Sequence, residues 1–287
     1  MEYPLRQLLP EDYPPELREI PDIPESLWLR GELPPPDTKR LAVVGSRALS
    51  PYGREACTSL IQGLSGYPIS IVSGLALGAD ACAHKAALGA GLHTIALPGS
   101  GIHDDAIAPR TNLGLAHDIL KSGGALLSEY APDTQAAPWR FPERNRLMVG
   151  LSHAVLVVEA GERSGTLITA RLTGEYNRDL LCIPHRIGDS HGYGAHLFLR
   201  LGAAHITDPS HILEALGMRE RAPLVQTSLP LLEGSERTVY EILAEPHSRD
   251  DVIRLSNLPV GDVLTALVML ELQGVVKEEF GAWRRSQ

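Results

Sequence analysis

Leu-Ala-Val-Val-Gly-Ser-Arg-Ala-Leu-Ser (41–50) is the stretch that decides the fold. Its four leading apolar residues read as a strand buried on both faces, as in a parallel sheet. Gly45 frees the backbone for a tight turn. Pro51 and Gly53 then stand at the start of a helix that runs to about Leu64. A strand, a turn of small residues and a helix aim backbone N–H groups and a positive helix end at a phosphate. Arg47 lies in that turn, where a guanidinium grips phosphate at two points. The turn alone leaves open an ordinary strand–helix junction with a solvated arginine.

Outward from this unit the pattern repeats. Strands are expected at Ile69–Val72, Thr94–Leu97, Ala125–Ser128, Ala154–Glu159 and Leu180–Ile183. Helices are expected over Asp80–Leu88, Asn112–Lys121, Glu143–Leu151, Thr166–Tyr176, Leu197–Leu201 and Pro209–Leu216, with Pro138–Pro142 as a loop. Alternation of this kind gives α/β architecture, a parallel sheet with helices on both faces. Ligands of such sheets sit beyond the carboxyl ends of the strands. Four of those ends are turns of small residues: Gly45-Ser46-Arg47, Ser73-Gly74, Gly99-Ser100-Gly101 and Ser164-Gly165-Thr166. Together they suit close approach of a phosphate or sugar. None has the Gly-x-Gly-x-x-Gly spacing of a dinucleotide site or the Gly-x-x-x-x-Gly-Lys-[Ser/Thr] of an ATPase. A second feature is Trp139-Arg140-Phe141-Pro142-Glu143-Arg144-Asn145-Arg146, with three arginines, two aromatics and an amide in eight residues. Arginines suit a nucleic-acid backbone, and a flat ring suits an unstacked base. Against this stands a core role for Phe141 and carboxylate pairing for Arg144 and Arg146.

At 287 residues and 44% hydrophobic content, the chain can build one large domain and one small one. No run of 18 apolar residues offers a membrane span, and the first residues do not read as a signal peptide. Cys57, Cys82 and Cys182 sit singly in apolar segments, which suits buried thiols in a reducing cytoplasm rather than zinc or disulfides. No His-x-x-x-His or His-Glu-x-x-His spacing indicates a metal. The net charge is −9, unlike that of a broadly basic nucleic-acid binder. It is unevenly spread: residues 41–220 come to −2 and hold 12 Arg but only two Lys. That leaves room for a local cationic site on an acidic body.

Residues 1–40, with Tyr13-Pro14-Pro15 and Pro34-Pro35-Pro36, read as a proline-rich arm and linker. Residues 41–220 form the main domain, and 221–287 a linker and a small unit. In the small unit, helices are expected over Ser235–Leu243, with a Ser cap, over Ser248–Leu255 and over Leu258–Leu272, the last ended by Gly274. A hairpin of Val275-Val276-Lys277 and Gly281-Ala282-Trp283-Arg284 completes a winged-helix-like pattern. Its third helix carries Asp262 and Glu271 and no Lys or Arg, whereas a helix that reads DNA presents basic or amide side chains. A protein contact, or no direct DNA role, is expected of this unit.

The chain resembles the bacterial DNA-processing protein A (DprA/Smf) family. The resemblance rests on Val-Gly-Ser-Arg-x-x-Ser (44–50), Val-Ser-Gly-Leu-Ala-x-Gly-x-Asp-x-x-Ala-His (72–84), Thr-Ile-Ala-x-x-x-Ser-Gly (94–101) and Ser-Glu-Tyr (128–130). Phe-Pro-x-Arg-Asn-Arg (141–146) and Val-Glu-Ala-x-x-x-Ser-Gly-Thr-Leu-Ile-Thr-Ala (158–170) follow in family order. It implies an extended Rossmann-like domain that binds and protects single-stranded DNA as a homodimer, without catalysis or cofactor. It further implies loading of RecA recombinase in natural transformation and recombination, with single-strand-binding protein as a further partner. Carried onto this chain, the strand site would comprise Gly45, Ser46, Arg47 and Ser50, then Ser73 and Gly74, then Ser100 and Gly101. Phe141 would stack a base, Arg140, Arg144, Asn145 and Arg146 would hold the strand, and Ser164, Gly165 and Thr166 would complete the rim. Three positions depart from the family pattern: Ala108 stands in place of Tyr before Pro109, His185 follows Pro184 in place of Gly, and the usual Asn is missing near Gly194-Ala195-His196. Many members begin with a small helical domain, and this chain reads as starting after it.

Two other readings stay open. Phosphoribohydrolases of a related fold, the "lonely guy" enzymes, cleave nucleoside monophosphates and bear Pro-Gly-Gly-x-Gly-Thr-x-x-Glu. Here Gly165-Thr166-Leu167-Ile168-Thr169 puts Thr169 at the place of the catalytic Glu, which leaves acid–base chemistry without its main player. Asp80 and His84, four apart on one helix, read as a helix cap and a packed histidine. The last reading is a scaffold that dimerises and has lost its DNA affinity. For dimerisation, Leu197–Ile206 is the expected surface.

Overall fold

A computed structural model describes residues 3–162, 164–219, 232, 234–273, 275–279 and 281–285. In chain order it starts with β1 (Leu5–Leu8), α1 (Pro15–Arg18), β2 (Leu27–Gly31), β3 (Lys39–Val44), α2 (Pro51–Gln62), β4 (Ile69–Ser73) and α3 (Ala79–Gly89). Next come β5 (His93–Ala96), α4 (Leu113–Lys121), β6 (Ala125–Ser128), α5 (Arg140–Leu151), β7 (Ala154–Val157) and α6 (Thr166–Glu175). They are followed by β8 (Asp179–Cys182), α7 (Tyr193–Arg200), β9 (Ala204–His205) and α8 (Pro209–Ala215). The chain divides into two compact units, Met1–Glu220 and Arg221–Gln287.

The first unit is built on one sheet in the order β1-β2-β6-β5-β4-β3-β7-β8-β9. From β6 to β9 every neighbouring pair is parallel, while β1 and β2 pair antiparallel at one edge. Along β3 the side chains alternate between two cores, as the period of a strand demands. Leu41 and Val43 pack with Cys57, Ile61, Ala83 and Leu213 of α2, α3 and α8. Ala42 and Val44 pack with Leu147, Met148, Ala170 and Phe198 of α5, α6 and α7. The three cysteines are buried free thiols. The order reverses after β6: the chain returns past β3 to lay β7 on its other side. Between β3 and β7 the crossovers leave in opposite directions, which opens a crevice at their carboxyl ends.

The arm holds more structure than its prolines suggest. β2 alternates buried and half-buried along Leu27-Trp28-Leu29-Arg30-Gly31 and pairs with β6. Tyr13, Leu17 and Ile20 enter the main core. Arg40, 2% exposed, donates through Nε to the Leu151 carbonyl at 2.7 Å and pairs with Glu16, whose other oxygen lies 3.0 Å from His153 Nε2. A buried guanidinium needs such partners, and the arm provides one of them.

α5 begins at Arg140, so Arg140, Phe141 and Pro142 are helical where a loop was expected. Proline is tolerated in a first turn, where its missing N–H has no partner to lose. α7 likewise starts at Tyr193, before the expected Leu197.

The second unit holds α9 (Gly234–Ile242), α10 (Arg249–Ser256), α11 (Val260–Leu272) and the hairpin β10 (Val276–Glu279) and β11 (Ala282–Arg285). Their core gathers Val239, Leu243, Val252, Leu267, Leu270 and Trp283. Ser248 caps α10, accepting the Asp251 N–H at 3.2 Å and donating to the Asp251 carboxylate at 2.6 Å. Ser235 lies inside α9 and is no cap. The linker expected from residue 221 and the Gly274 stop lie outside the described residues. Among the described residues, no helix is long and apolar enough to cross a membrane, and no group of three or more His, Cys, Asp or Glu is placed to hold a metal ion.

Candidate nucleic-acid interface

The crevice between β3 and β7 is a cleft of about 630 Å3. One wall is the turn after β3. Ala79 N–H at the start of α3 donates to the Ser46 carbonyl at 3.0 Å. Gly78, at φ +75°, and Gly45 make that seam possible: a Cβ on Gly78 would stand 2.2 Å from the Ser46 carbonyl, and one on Gly45 2.8 Å from Ala79 Cβ. The opposite wall is the loop from Gly161 into α6. There the Thr166 N–H donates to Ser164 Oγ at 3.2 Å, and Ser164 Oγ–H donates to Thr166 Oγ1 at 2.9 Å.

α5 forms the third wall. Phe141, Arg144, Asn145 and Met148 recur at i, i+3, i+4 and i+7, the spacing of one helix face, and all four line the cleft. The Phe141 ring rests against Gly99, where a Cβ would come within 2.6 Å of it. The Arg47 guanidinium lies over that ring, 5.0 Å from its centroid. Asn145 Nδ2 donates to Thr169 Oγ1 at 2.9 Å, fixing the amide across the cleft.

Beneath the mouth lies buried charge. Arg144 is 4% exposed, and its guanidinium presses on Gly74, where a Cβ would stand 2.3 Å away. Its Nε and Nη1 have no hydrogen-bond partner within the protein. Burial lowers its pKa to about 10, which leaves it charged at neutral pH. Asp80 accepts the Ala76 N–H at 3.2 Å; burial raises its pKa, and Arg144 opposes the rise. Asp80 is therefore a buried carboxylate in the first turn of α3, whose N-cap is Gly78. His84 is packed, as expected. Thr94 Oγ1 donates to the Ile71 carbonyl at 2.8 Å, so His84 Nδ1 is the donor in its 2.7 Å bond to Thr94 and Nε2 is bare.

Of the expected strand residues, Gly45, Ser46, Arg47, Phe141, Arg144, Asn145, Ser164, Gly165 and Thr166 converge on the cleft. The others do not line it. Ser73 Oγ donates to the Val43 carbonyl, and Gly74 makes room for Arg144. Ser100 is buried, with Oγ donating to the Gly101 carbonyl at 3.0 Å. Gly101 N–H donates to Thr134, and a Cβ there would stand 2.1 Å from the Pro132 carbonyl. Arg140 turns to the Tyr130 ring, 4.9 Å away, and Arg146 binds Glu129 at 2.5 Å and the Asp22 carbonyl at 2.9 Å. Asp80, Met148 and Pro138 are among the cleft residues that the sequence analysis did not assign to it. The period of α5, carried forward one turn from Arg144, would have marked Met148.

Ser50 answers a different question. The positive end of α2 was expected to face a phosphate. Instead Glu159, fully buried, takes that place: it accepts the Ser50 N–H at 3.0 Å and pairs with Ser50 Oγ, which in turn caps Gly53 N–H at 3.0 Å. A Cβ on Gly53 would stand 2.3 Å from the Glu159 carboxylate. The helix dipole is already satisfied by the protein's own anion. Anion-binding capacity at this crevice therefore falls to Arg47, Arg144 and the start of α6.

Fold and cleft define the class: a doubly wound Rossmann-like protein with an arginine-lined crevice at the switch point of its sheet. The chain belongs to the DNA recombination-mediator protein A family, whose model matches residues 6–217; the DprA winged helix domain matches residues 225–281. Protein Smf of Escherichia coli is 38% identical over 296 residues, covering 99% of this chain and 79% of that protein. DNA processing protein DprA of Streptococcus pneumoniae is 40% identical over 211 residues, 74% of this chain and 73% of that one. Among solved structures, DNA processing protein A of S. pneumoniae superposes with a TM-score of 0.69 at 40% identity, over 74% of each chain. That of Helicobacter pylori, studied for its mode of single-stranded DNA binding, gives a TM-score of 0.65 at 30% identity, over 75% of this chain and 98% of that one. The resemblance read from the motifs, the Rossmann-like domain it implied and the winged-helix-like unit read from the residues are borne out.

Proposed function

We propose that the cleft holds single-stranded DNA without catalysis, and that the protein protects the strand and loads RecA recombinase onto it in transformation and recombination. The observation that carries this reading is Arg47 laid over Phe141 at the mouth of the switch-point cleft. A cation and a flat ring side by side suit a phosphate and the unstacked base next to it. Trp139, 63% exposed just before Phe141, offers a second ring. The H. pylori relative's single-stranded DNA binding supports the same assignment. Fluorescence anisotropy with labelled oligo-dT tests it. Arg47→Glu is expected to weaken binding at least tenfold at unchanged thermal midpoint; normal affinity in that variant sinks the assigned site. RecA loading predicts faster RecA filament nucleation on strands coated with single-strand-binding protein, and an unchanged lag would remove that part of the reading.

One observation favours a hydrolytic reading: Asp80 is a buried carboxylate in the cleft wall, with its pKa raised by burial. Against it, the place of the catalytic Glu holds Thr169, whose hydroxyl is taken by Asn145. We expect no free base from nucleoside monophosphates, and its release would restore the enzyme.

Dimerisation is part of the proposal. The edge of the sheet beside β8 and β9 carries a groove of about 1110 Å3, lined by Leu180, Leu197, Phe198, Leu201, Ala203 and Ile206 among others. Leu201 is 74% exposed there. A second copy seated on this edge would cover it. Leu201→Glu is expected to give a monomer in light scattering, and a dimer in that variant would move the interface elsewhere.

A further inference from the structure

α11 carries apolar side chains on its exposed face as well as on its buried one. Val263, Ala266, Leu267 and Leu270 face the core of the second unit. The other side is apolar too: Val260 is 54% exposed, Leu264 39%, Val268 53%, Met269 41% and Leu272 79%. Between them stand Gly261 and Thr265, and Thr265 Oγ1 donates to the Gly261 carbonyl at 2.9 Å, so its hydrogen-bonding capacity is turned into the helix. A helix hydrophobic all round belongs in an interior, and a contiguous exposed patch of this kind marks an interaction site.

Charge selects what covers it. The only charged residues of α11 are Asp262 and Glu271, both exposed. DNA is excluded, because the helix brings two anions and no Lys or Arg to a polyanion. A second copy is disfavoured as well. A two-fold contact through this face would bring Asp262 and Glu271 of one copy towards the same two anions of the other, with no cation on α11 to offset them. The five side chains expose on the order of 500 Å2, short of the roughly 800 Å2 per partner of a stable interface between domains. That area suits a single helical segment.

We propose that α11 docks a protein partner through an apolar helical segment bordered by lysine or arginine. The small residues Gly261 and Thr265 let such a segment approach closely, alongside the row of Val260, Leu264, Val268 and Leu272 at i, i+4 spacing. The cations of the partner reach Asp262 and Glu271 at the border of the stripe.

The probe is a synthetic amphipathic peptide of leucine and lysine, with a leucine–glutamate peptide of the same pattern as control, titrated into the full-length methyl-labelled protein. The lysine peptide is expected to shift the methyl signals of Val260, Leu264, Val268 and Leu272, and the glutamate peptide to leave them unmoved. Val268→Asp should weaken the response more than tenfold. Reversing both border charges, Asp262→Lys with Glu271→Lys, should exchange the preference of the two peptides. Equal response to both peptides, shifts confined to other elements, or methyls of α11 already shielded from a soluble paramagnet by the chain itself or by a second copy would each overturn the proposal. None of these readouts involves DNA, so they stand apart from the strand-binding reading.

Discussion

Phe141 is held by what Gly99 lacks. The ring occupies the space of the missing side chain on one side and meets the Arg47 guanidinium as well. Gly99→Ala should displace it and weaken oligo-dT binding severalfold. Phe141→Ala should cost roughly 1–3 kcal/mol, the value of one stacked base. The double variant should be no weaker than Phe141→Ala alone, because both changes remove the same contact; additive losses in the anisotropy titration would show that Gly99 acts elsewhere. His84 governs acid stability in the opposite sense to a salt-bridged histidine. Burial lowers its pKa from the ordinary 6.5 to about 3. The unfolded chain therefore takes up a proton in this window that the folded ring refuses. Its contribution is complete above pH 6.5 and is lost progressively as pH falls toward 3. Urea midpoints should drop between pH 7 and pH 4.5, and His84→Asn should flatten that decline. Asp80, with its pKa raised by burial, works against the trend, since its protonation is easier in the folded state.

At the scale of elements, legibility followed burial and period. The strands from β3 to β8 read directly because burial in the sheet gives short runs of Val, Ile, Leu and Ala that end in small residues or proline. β1 and β2 did not, because they are short antiparallel strands among prolines; the alternation of Leu27, Leu29 and Gly31 was the only signal of β2. For the site, the turn after β3 and the Gly165-Thr166 turn were visible as small residues beside an Arg. The divergence of the three arginines was not. Reading Pro142 as the end of a loop removed the first turn of α5, and with it the helical phase that sends Arg144 into the cleft, Arg146 to Glu129 and Arg140 to Tyr130. The reversal at the end of α2 was illegible, since no local pattern announces that Glu159 returns to Ser50 across 109 residues. This element also yields a prediction. Glu159→Ala leaves the Ser50 N–H and the cap hydroxyl without an acceptor, which should cost about 2 kcal/mol in chemical denaturation. A change of a few tenths would mean that water replaces the carboxylate.

For the whole molecule, the governing quantity is the −9 net charge. An acidic body with few cations at its cleft neutralises few phosphates. If about three are engaged on a single strand, the logarithm of affinity should fall against that of salt with a slope of about −2. Duplex, whose bases offer no open face to Phe141, should compete weakly. A slope as steep as that of a strongly basic protein would place additional phosphate contacts outside the cleft.

Glu159 at the head of α2 has a consequence for strand length. With the start of α2 taken by the protein's own carboxylate, the crevice offers a phosphate only Arg47, Arg144 and the start of α6, so each occupied site contributes little. Tight retention must then come from many weak grips along one polymer, taken in succession at high effective concentration. A trinucleotide should leave within moments, whereas, if the proposed dimer forms, a strand long enough to reach the cleft of the second copy should stay far longer, its dissociation slowing steeply once that span is exceeded.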